Sequence, residues 1–423
     1  MEDGDQELVD CIWAYINQQV TDISEDDIPI VLSSLPPTHK FLLPLFGKPF
    51  HKTWWKLNST EIVMCLDNLV KLNTLQVSIM RDIGSWLFLN IHEVKEQEVS
   101  QCIRAFHHFN FYDGNLMSAL ERYIPAKNKQ LHAELPAVVA EYCRSRRYFS
   151  PAILDAIAVH FCAKGENYQS SEVFLALRVF GQLNYLPQDG LPRFLLQAEK
   201  MIEKHFDNLD FGQMCELVCS FAFVEKISLS IVQKVFSYTF LSRIKSSPQG
   251  HKAGMWLEML QTAVRLDVKG FRLPYLFKLH TKQMLKDTRL YILQNQLKGC
   301  LEELLGTGMV KIRPFADRSI YILDAEIIVT AKGVPIPVSS EDEHLFRSED
   351  KRVAILITTA DDVCLNTNHM LGKFSMRQRH LKKMGYTVIE VPDKEFLPLN
   401  RLKQNRYLKK KLEAVIDFMK LSI

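Results

Sequence analysis

The sequence predicts an N-terminal α-helical repeat solenoid followed by a small α/β module. Three observations carry that expectation. Apolar residues recur in register every 37 residues through the first two thirds of the chain. Past residue 308, β-branched runs replace the helical period. And 423 residues are too many for one ordinary core, so two or three domains are expected.

The recurrence is the longest-range signal and is read first. Leu66, Ile103, Ala140 and Leu177 share a column, as do Leu69, Phe106, Cys143 and Phe180. A second set follows in Met80, Met117, Leu154 and Leu191, then in Ile83, Leu120, Ile157 and Phe194, then in Leu87, Ile124, Phe161 and Ala198. Within a unit the spacings are three and four, which puts apolar side chains on one face of each of two helices. The turn between the helices carries Asn73, Asn110 and Asn184, with Arg147 at the equivalent site. Asn tolerates turn conformations. One copy is imperfect, because Pro136 and Arg146 occupy otherwise apolar columns. A further unit follows at a spacing of 41 (Val218, Phe221, Val224, Ile227, Val232, Val235), and a weaker one precedes (Leu32, Leu35, Leu43, Phe46, Phe50). A single helical hairpin cannot bury its apolar face, whereas stacked hairpins share a core and leave a groove. Residues 30–245 are therefore expected to form hairpin repeats, after an acidic segment over 1–29.

Residues 246–254 are rich in turn formers and predict a boundary. Helical periodicity resumes over 255–305 through Leu290, Leu293, Leu297, Leu301, Leu304 and Leu305, and Gly306 and Gly308 end it. Strands are then expected at 319–329, 352–358 and 386–391, the last stopped by Pro392. A helix is expected over 373–384, ended by Gly385, and a final basic helix over 401–420. Strand, helix, strand, helix in this order implies an α/β module.

Net charge is only +3, but it is unevenly placed. Residues 1–30 hold nine acids (Glu2, Asp3, Asp5, Glu7, Asp10, Asp22, Glu25, Asp26 and Asp27) and no Lys or Arg. Residues 372–411 hold twelve Lys or Arg against three acids. Such asymmetry points to a polyanion partner for the C-terminal region. The nine cysteines are scattered without a C-x-x-C, so neither a zinc site nor a disulfide framework is expected, and a reducing interior fits. No run of 18 apolar residues appears, so no membrane-spanning helix is expected. The acidic start matches neither an Arg-rich presequence nor a signal peptide. Alone it reads as a cytosolic address, and a truncated or processed chain has the same look.

The stretch 372–386 places Arg379, His380 and Leu381 on a helix and turns through Gly385 and Tyr386 into a strand. It resembles the signature of a RAP domain. The basic stretch 407–412 and the strand at 321–326 are similar to later and earlier parts of that region, which is expected over 345–423. Upstream, 153–156 through 181–185 resembles the helical module of the FAST kinase domain-containing proteins, over about 150–220, and 255–338 resembles their second module, its end merging into the first RAP strand. The resemblance implies a mitochondrial matrix protein that governs stability, processing or translation of organelle transcripts. It implies single-stranded mitochondrial RNA as partner, with other RNA-processing proteins as further candidates. It also implies that the RAP module has a restriction-endonuclease-like fold.

That fold allows a residue-by-residue test for catalysis. Such nucleases need an Asp on one strand and a Glu-x-Lys on the next, to hold Mg²⁺ and activate water. Asp324 is the candidate first carboxylate, and Glu326 shares its strand face. On the next strand, Leu356 stands where the carboxylate falls and Thr358 where the lysine falls. Asp361 and Asp362 lie beyond the strand, and catalytic metals tolerate little displacement. Asp324 and Glu326 are thus weak catalytic candidates, and no metal or cofactor is expected. Kinase chemistry fares worse. Asp210-Phe211-Gly212 spells a metal-binding triplet, but it precedes the glycines Gly306 and Gly308, the reverse of the order kinases require. A His-Arg-Asp catalytic loop is missing from the sequence.

The basic helix makes the better case. Lys373, Arg377, Arg379, His380, Lys382 and Lys383 are candidate RNA contacts, joined by Lys409 and Lys410 on a second helix with Lys403, Arg406 and Lys411. Phe374 and Tyr386 are expected in the core rather than stacked on bases, His369 in a solvent-facing loop, and His107 and His108 on a concave or core position. The expected function is an RNA-binding regulator without catalysis. Its alternatives are a RAP-domain endoribonuclease using Asp324 and a protein-interaction scaffold.

Overall fold

The computed structural model describes residues 3–19, 23–24, 27–245, 247, 250–273, 275, 288–316, 320–337 and 349–418. Outside them lie Glu2, Asp22, Glu25 and Asp26 of the acidic segment, residues 246 and 248–249 of the turn-rich boundary, 274 and 276–287 of the second helical stretch, 319 of the first expected strand, and 345–348 and 419–423 of the expected RAP region, with 419–420 also in the final expected helix. The chain forms two compact units, one of Met1–Val179 with Pro187–Met201, the other of Phe180–Leu186 with Ile202–Ile423. No helix among the described residues is long and apolar enough to cross a membrane.

The first unit is helical. It contains α1 (Asp3–Gln19), α2 (Ile28–Ser34), α3 (Gly47–Thr53), α4 (Ser59–Lys71), α5 (Val77–Asn90), α6 (Glu96–His108), α7 (Gly114–Lys127), α8 (Glu134–Arg146) and α9 (Pro151–Lys164). The helices α10 (Ser170–Gln182) and α11 (Leu191–Lys204) begin in it. Helices α4, α6 and α8 stack in one row, and α5, α7 and α9 in another. Leu66, Ile103 and Ala140 are buried from the first row, and Met80, Met117 and Leu154 from the second. Each fully buried aliphatic side chain stabilises the stack by roughly 1.5–3 kcal/mol.

The first helix of each hairpin ends in the same way. Asn73, Asn110 and Arg147 take left-handed φ values of 46°, 55° and 50°. The amide of each bonds a carbonyl three residues back, and the following amide bonds a carbonyl five residues back. This Schellman closure satisfies carbonyls that a helix end would otherwise leave open. In the second unit Asn184 and Glu225 close α10 and α12 (Phe211–Phe223) with the same bonds. His107 and His108 bridge successive hairpins, to Ser145 at 3.0 Å and Asn73 at 3.1 Å.

The second unit continues with α13 (Leu229–Val235), α14 (Tyr238–Lys245), α15 (Gly250–Asp267) and α16 (Thr288–Leu305). Within the turn-rich stretch 246–254, α15 already starts at Gly250. Burial of Ala253, Gly254, Leu257 and Leu260, with α15 lying along α12, outweighs the poor helix propensity of two glycines. Gly306 and Gly308, at φ 99° and 82°, end α16.

A mixed sheet follows, of β1 (Val310–Ile312), β2 (Ala325–Val329), β3 (Pro335–Ile336), β4 (Lys351–Thr358) and β5 (Tyr386–Pro392). β1, β3 and β4 run antiparallel to β2, with Ile327 opposite Val353. β5 runs parallel to β4, with Val353 opposite Thr387, and α17 (Gly372–Lys383) makes the crossover. α18 (Asp393–Phe396) and α19 (Arg401–Leu412) end the described fold. Alternation along β4 builds two cores. Val353, Ile355 and Ile357 join α16 and α19 residues such as Leu297, Leu301, Leu408 and Leu412. Ala354 and Leu356 join Tyr321, Leu323, Phe374, Leu381 and Tyr386 on the α17 side. Phe374 and Tyr386 are thus core residues.

Two elements are shorter than the periodicity implies. The expected strand 319–329 is a strand only from Ala325. Ile322 instead bridges back to Phe315, and the Leu323 amide donates to Pro314 O. The final helix stops at Leu412 rather than near 420, where the amides of Val415 and Ile416 turn back onto Leu412 O and that of Asp417 onto Gly333 O. β1 and β3 carry no signal in the sequence, because runs of three and two residues show no alternation.

Candidate nucleic-acid interface

Helix α17 carries most of the expected contacts, and the fold divides them. Lys373 and Lys382 are exposed. Arg377 turns inward, donating to Ile322 O at 2.6 Å and lying 3.5 Å from Asp324. Arg379 donates to Ala222 O and Phe223 O, both at 2.9 Å, at the end of α12. It also pairs with Asp267 at 2.9 Å and Glu225 at 3.0 Å. His380 is fully buried, with Nδ1 2.6 Å from Tyr321 OH and Nε2 3.0 Å from Asp267. Lys383 reaches Asp267 at 2.7 Å and Glu225 at 2.8 Å.

Asp267, the last residue of α15, is therefore the hub of a clasp. Burial alone would raise its pKa, but hydrogen bonds from His380, Arg379 and Lys383 outweigh it and hold the carboxyl well below the usual range. Three of the eight expected RNA contacts are committed to this clasp, and Arg377 to the loop before β2. The acceptors lie 112 to 116 residues upstream of their donors, so no local pattern in the sequence announces them.

Ser375, Gln378, Arg379, Lys382 and Lys383 of α17 line an open pocket of about 450 Å³. No carboxylate is among these lining groups. Lys409 and Lys410 are exposed on α19 with Lys403 and Arg406, Lys409 lying 5.2 Å from the ring of Phe418. The two basic helices cover opposite faces of the sheet, so they do not form one continuous surface. His369 is not a free loop residue, since its Nε2 lies 2.9 Å from Leu183 O and 3.1 Å from Asn184 O. These carbonyls belong to a left-handed turn whose amides are already used, and a ring N–H satisfies them.

Residues 362–411 match the RAP domain family, and residues 174–245 match the family described as FAST kinase-like protein, subdomain 1. The chain carries a FAST kinase-like subdomain and, C-terminal to it, a RAP domain. Among its relatives is FAST kinase domain-containing protein 3, mitochondrial. The Rattus norvegicus protein is 28% identical over 343 residues, covering 78% of this chain and 51% of its own length. The Homo sapiens protein is 28% identical over 347 residues, covering 78% and 50%. Fas-activated serine/threonine kinase from Mus musculus is 24% identical over 322 residues, covering 69% and 61%. The chain spans about half the length of the first two. The RAP match takes in α17, β5 and nearly all of α19, and the FAST match runs from α10 to α14.

In the sheet that supports the RAP domain, the carboxylates are locked. Asp324 Oδ1 accepts from Gln294 Nε2 and Oδ2 accepts from the Ile357 amide, each at 2.8 Å. Glu326, 2% exposed, pairs with Arg352 at 2.6 Å. The Leu356 side chain is fully buried and has no oxygen to offer a metal. Asp362 accepts from the Thr359 amide and hydroxyl within its own turn. No cluster of three His, Cys, Asp or Glu suited to a metal ion occurs among the described residues. Asp324→Asn is accordingly expected to lower stability by about 1–3 kcal/mol in denaturant titration, since one buried acceptor becomes a donor facing another donor. An unchanged midpoint would contradict that role. In the FAST-like subdomain, Asp210 is the N-cap of α12, in a capping box with Gln213, so the kinase-like triplet marks a helix start.

Proposed function

We propose that this chain is a non-catalytic RNA-binding regulator of mitochondrial transcripts, acting on their stability, processing or translation. The observation that carries the reading is the RAP domain, whose α17 exposes Lys373 and Lys382, the latter in a pocket with Ser375, Gln378, Arg379 and Lys383. Phosphate backbones are held by such groups through charge, in a salt-dependent way. The mitochondrial address rests on its relatives, which are mitochondrial FAST kinase domain-containing proteins. The recurring left-handed turns and stacked rows support an α-solenoid that lays single-stranded RNA along its hairpins, roughly one base per repeat as other helical readers do. The mixed sheet with its parallel β4-α17-β5 crossover supports a restriction-endonuclease-like ancestry for the RAP region. Committed carboxylates argue against hydrolysis, and helix-capping roles for Asp210 and Gly306 argue against phosphoryl transfer. Contacts with other RNA-processing proteins belong to the same reading.

The expected contact set narrows to Lys373 and Lys382 on α17 and Lys409 and Lys410 on α19, with Arg377, Arg379, His380 and Lys383 positioning the helix. A charge reversal at Arg377 or Lys383 would thus disturb folding and binding together. Lys373→Glu with Lys382→Glu is the cleaner probe. It is expected to weaken binding of a short fluorescent oligoribonucleotide about tenfold and to reduce the slope of log affinity against log salt by about 1.4, as about 0.7 per lost phosphate contact requires. In cells, crosslinking to the full chain should recover discrete mitochondrial transcripts that this variant loses. Recovery no better than background would sink the RNA reading and leave a protein scaffold as the better account.

A further inference from the structure

Helix α17 buries one side chain that the fold leaves unsatisfied. Gln378 is 9% exposed, and its amide nitrogen is buried without a hydrogen-bond partner among the described residues. Ser375, three residues before it, and Lys382, four after it, share its helix face and line the same pocket. Among the described residues, neither of these side chains is held by a hydrogen bond or an ion pair. Arg379 and Lys383 line the pocket too, but their charges are met by Asp267 and Glu225. Lys382 is thus the lining cation still open to a ligand.

Packing does not account for the amide. A methionine or leucine fills a buried helical position of this size without stranding a polar group, and burying an amide with no partner is unfavourable. A phosphate ligand does not account for it either. Phosphate oxygens only accept, and Lys382 and Ser375 already offer donors for them. An amide instead carries a donor and an acceptor side by side, and rotation about its terminal torsion exchanges which of them faces the pocket. That pairing is complementary to the edge of a nucleobase. A polar group buried without a partner, in an element otherwise consistent with its fold, is where function is expected.

We infer that Gln378 is the base-reading residue of the RAP helix and that the base it takes is adenine. The amino group of adenine donates and the neighbouring ring nitrogen accepts, so a glutamine amide completes two hydrogen bonds with it. In single-stranded RNA the base is free to leave its stack and enter a pocket, and a guanidinium plane is a surface on which it rests. Arg379 supplies such a plane in the pocket wall, fixed by its bonds to Ala222 O and Phe223 O. Lys382, one turn on from Gln378, holds the adjoining phosphate by charge. The inference rests on the RNA reading above and deepens it: the lysines set how tightly RNA is held, and Gln378 sets which base is accepted.

The test uses the full chain and three short fluorescent oligoribonucleotides of equal length, made of adenine, uracil or cytosine alone. Binding is followed by anisotropy across a salt series, beside thermal unfolding. The wild type is expected to bind the adenine strand about tenfold more tightly than the other two, the scale of one two-bond base contact. Gln378→Met should lose that margin while keeping the wild-type salt slope, because no charge leaves. Its melting temperature should be unchanged or higher, whereas a merely structural glutamine would lower it and leave the margin. Gln378→Leu serves as a second apolar variant. Lys382→Glu, by contrast, should weaken all three strands together and reduce the slope by about 0.7. Equal wild-type binding of the three strands, a preference for uracil or cytosine, or an adenine margin kept in both Gln378 variants would overturn this assignment and leave the RNA reading intact. Failure of the wild type to bind any strand at any salt concentration would overturn both.

Discussion

Replacing Asp267 with alanine is expected to destabilise the second compact unit by about 3–5 kcal/mol, the typical cost of removing one partner from a buried charge cluster. The reason is the number of donors left behind. His380 Nε2, Arg379 and Lys383 all converge on this carboxylate, and the buried imidazole has Tyr321 as its other partner. Without Asp267, a fully buried ring loses an acceptor, and Arg379 keeps only two carbonyls and Glu225. Asp267→Asn should cost less, because one oxygen still accepts. Denaturant titration of the two variants reads this directly, and a shift under about 1 kcal/mol for the alanine variant would show the clasp to be incidental.

The same carboxylate fixes the sign of an acid dependence. Its pKa is depressed in the folded protein, so its stabilisation is complete above the unfolded value, near the ordinary 3.8. It declines as pH falls below that and vanishes beneath the folded value. The wild type should therefore lose stability more steeply than Asp267→Asn on acidification below about pH 4, and the two should run parallel above pH 5. Parallel curves through the acid limb would place the depression elsewhere.

How much of this was legible depended on whether the physics was local. The left-handed turns were visible as Asn at a fixed spacing, because Asn meets the steric demand of that conformation within one residue. The crossover from β4 through α17 to β5 was visible because apolar runs, Gly385 and Pro392 mark its ends. The basic character of α17 was visible as well, but its purpose was not. Arg379 and Lys383 look like phosphate ligands in the sequence, and the structure spends them on Asp267 and Glu225, more than a hundred residues upstream. Residue type gives charge, while only the fold says which charges are already paired. Asp324 shows the same limit. Its neighbours Gln294 and the Ile357 amide come from α16 and β4, and no spacing rule brings them together.

Gly372→Ala should be among the most damaging single-methyl changes in the chain, at about 3 kcal/mol or more. A Cβ built on Gly372 falls 1.9 Å from Gly181 O and 2.9 Å from Phe223 Cβ. The first obstacle is backbone, so no side-chain rotation relieves it. Gly181 is itself confined, since a Cβ there falls 1.8 Å from Ser220 O. The first turn of α17 thus meets the ends of α10 and α12 at glycine-to-backbone distance, and any added carbon must push the RAP helix off them. That displacement would also pull Arg379 from Ala222 O and Phe223 O, so the loss should exceed the steric cost alone. Gly385 is the matched control. It has φ 90° with open space around its Cβ position, so Gly385→Ala meets only conformational strain of about 1–2 kcal/mol. If the two alanine variants unfold at the same denaturant concentration, the close approach at Gly372 is not holding α17 in place. If Gly372→Ala alone also lowers RNA affinity beyond its effect on folding, the position of that helix is part of how the RAP domain binds.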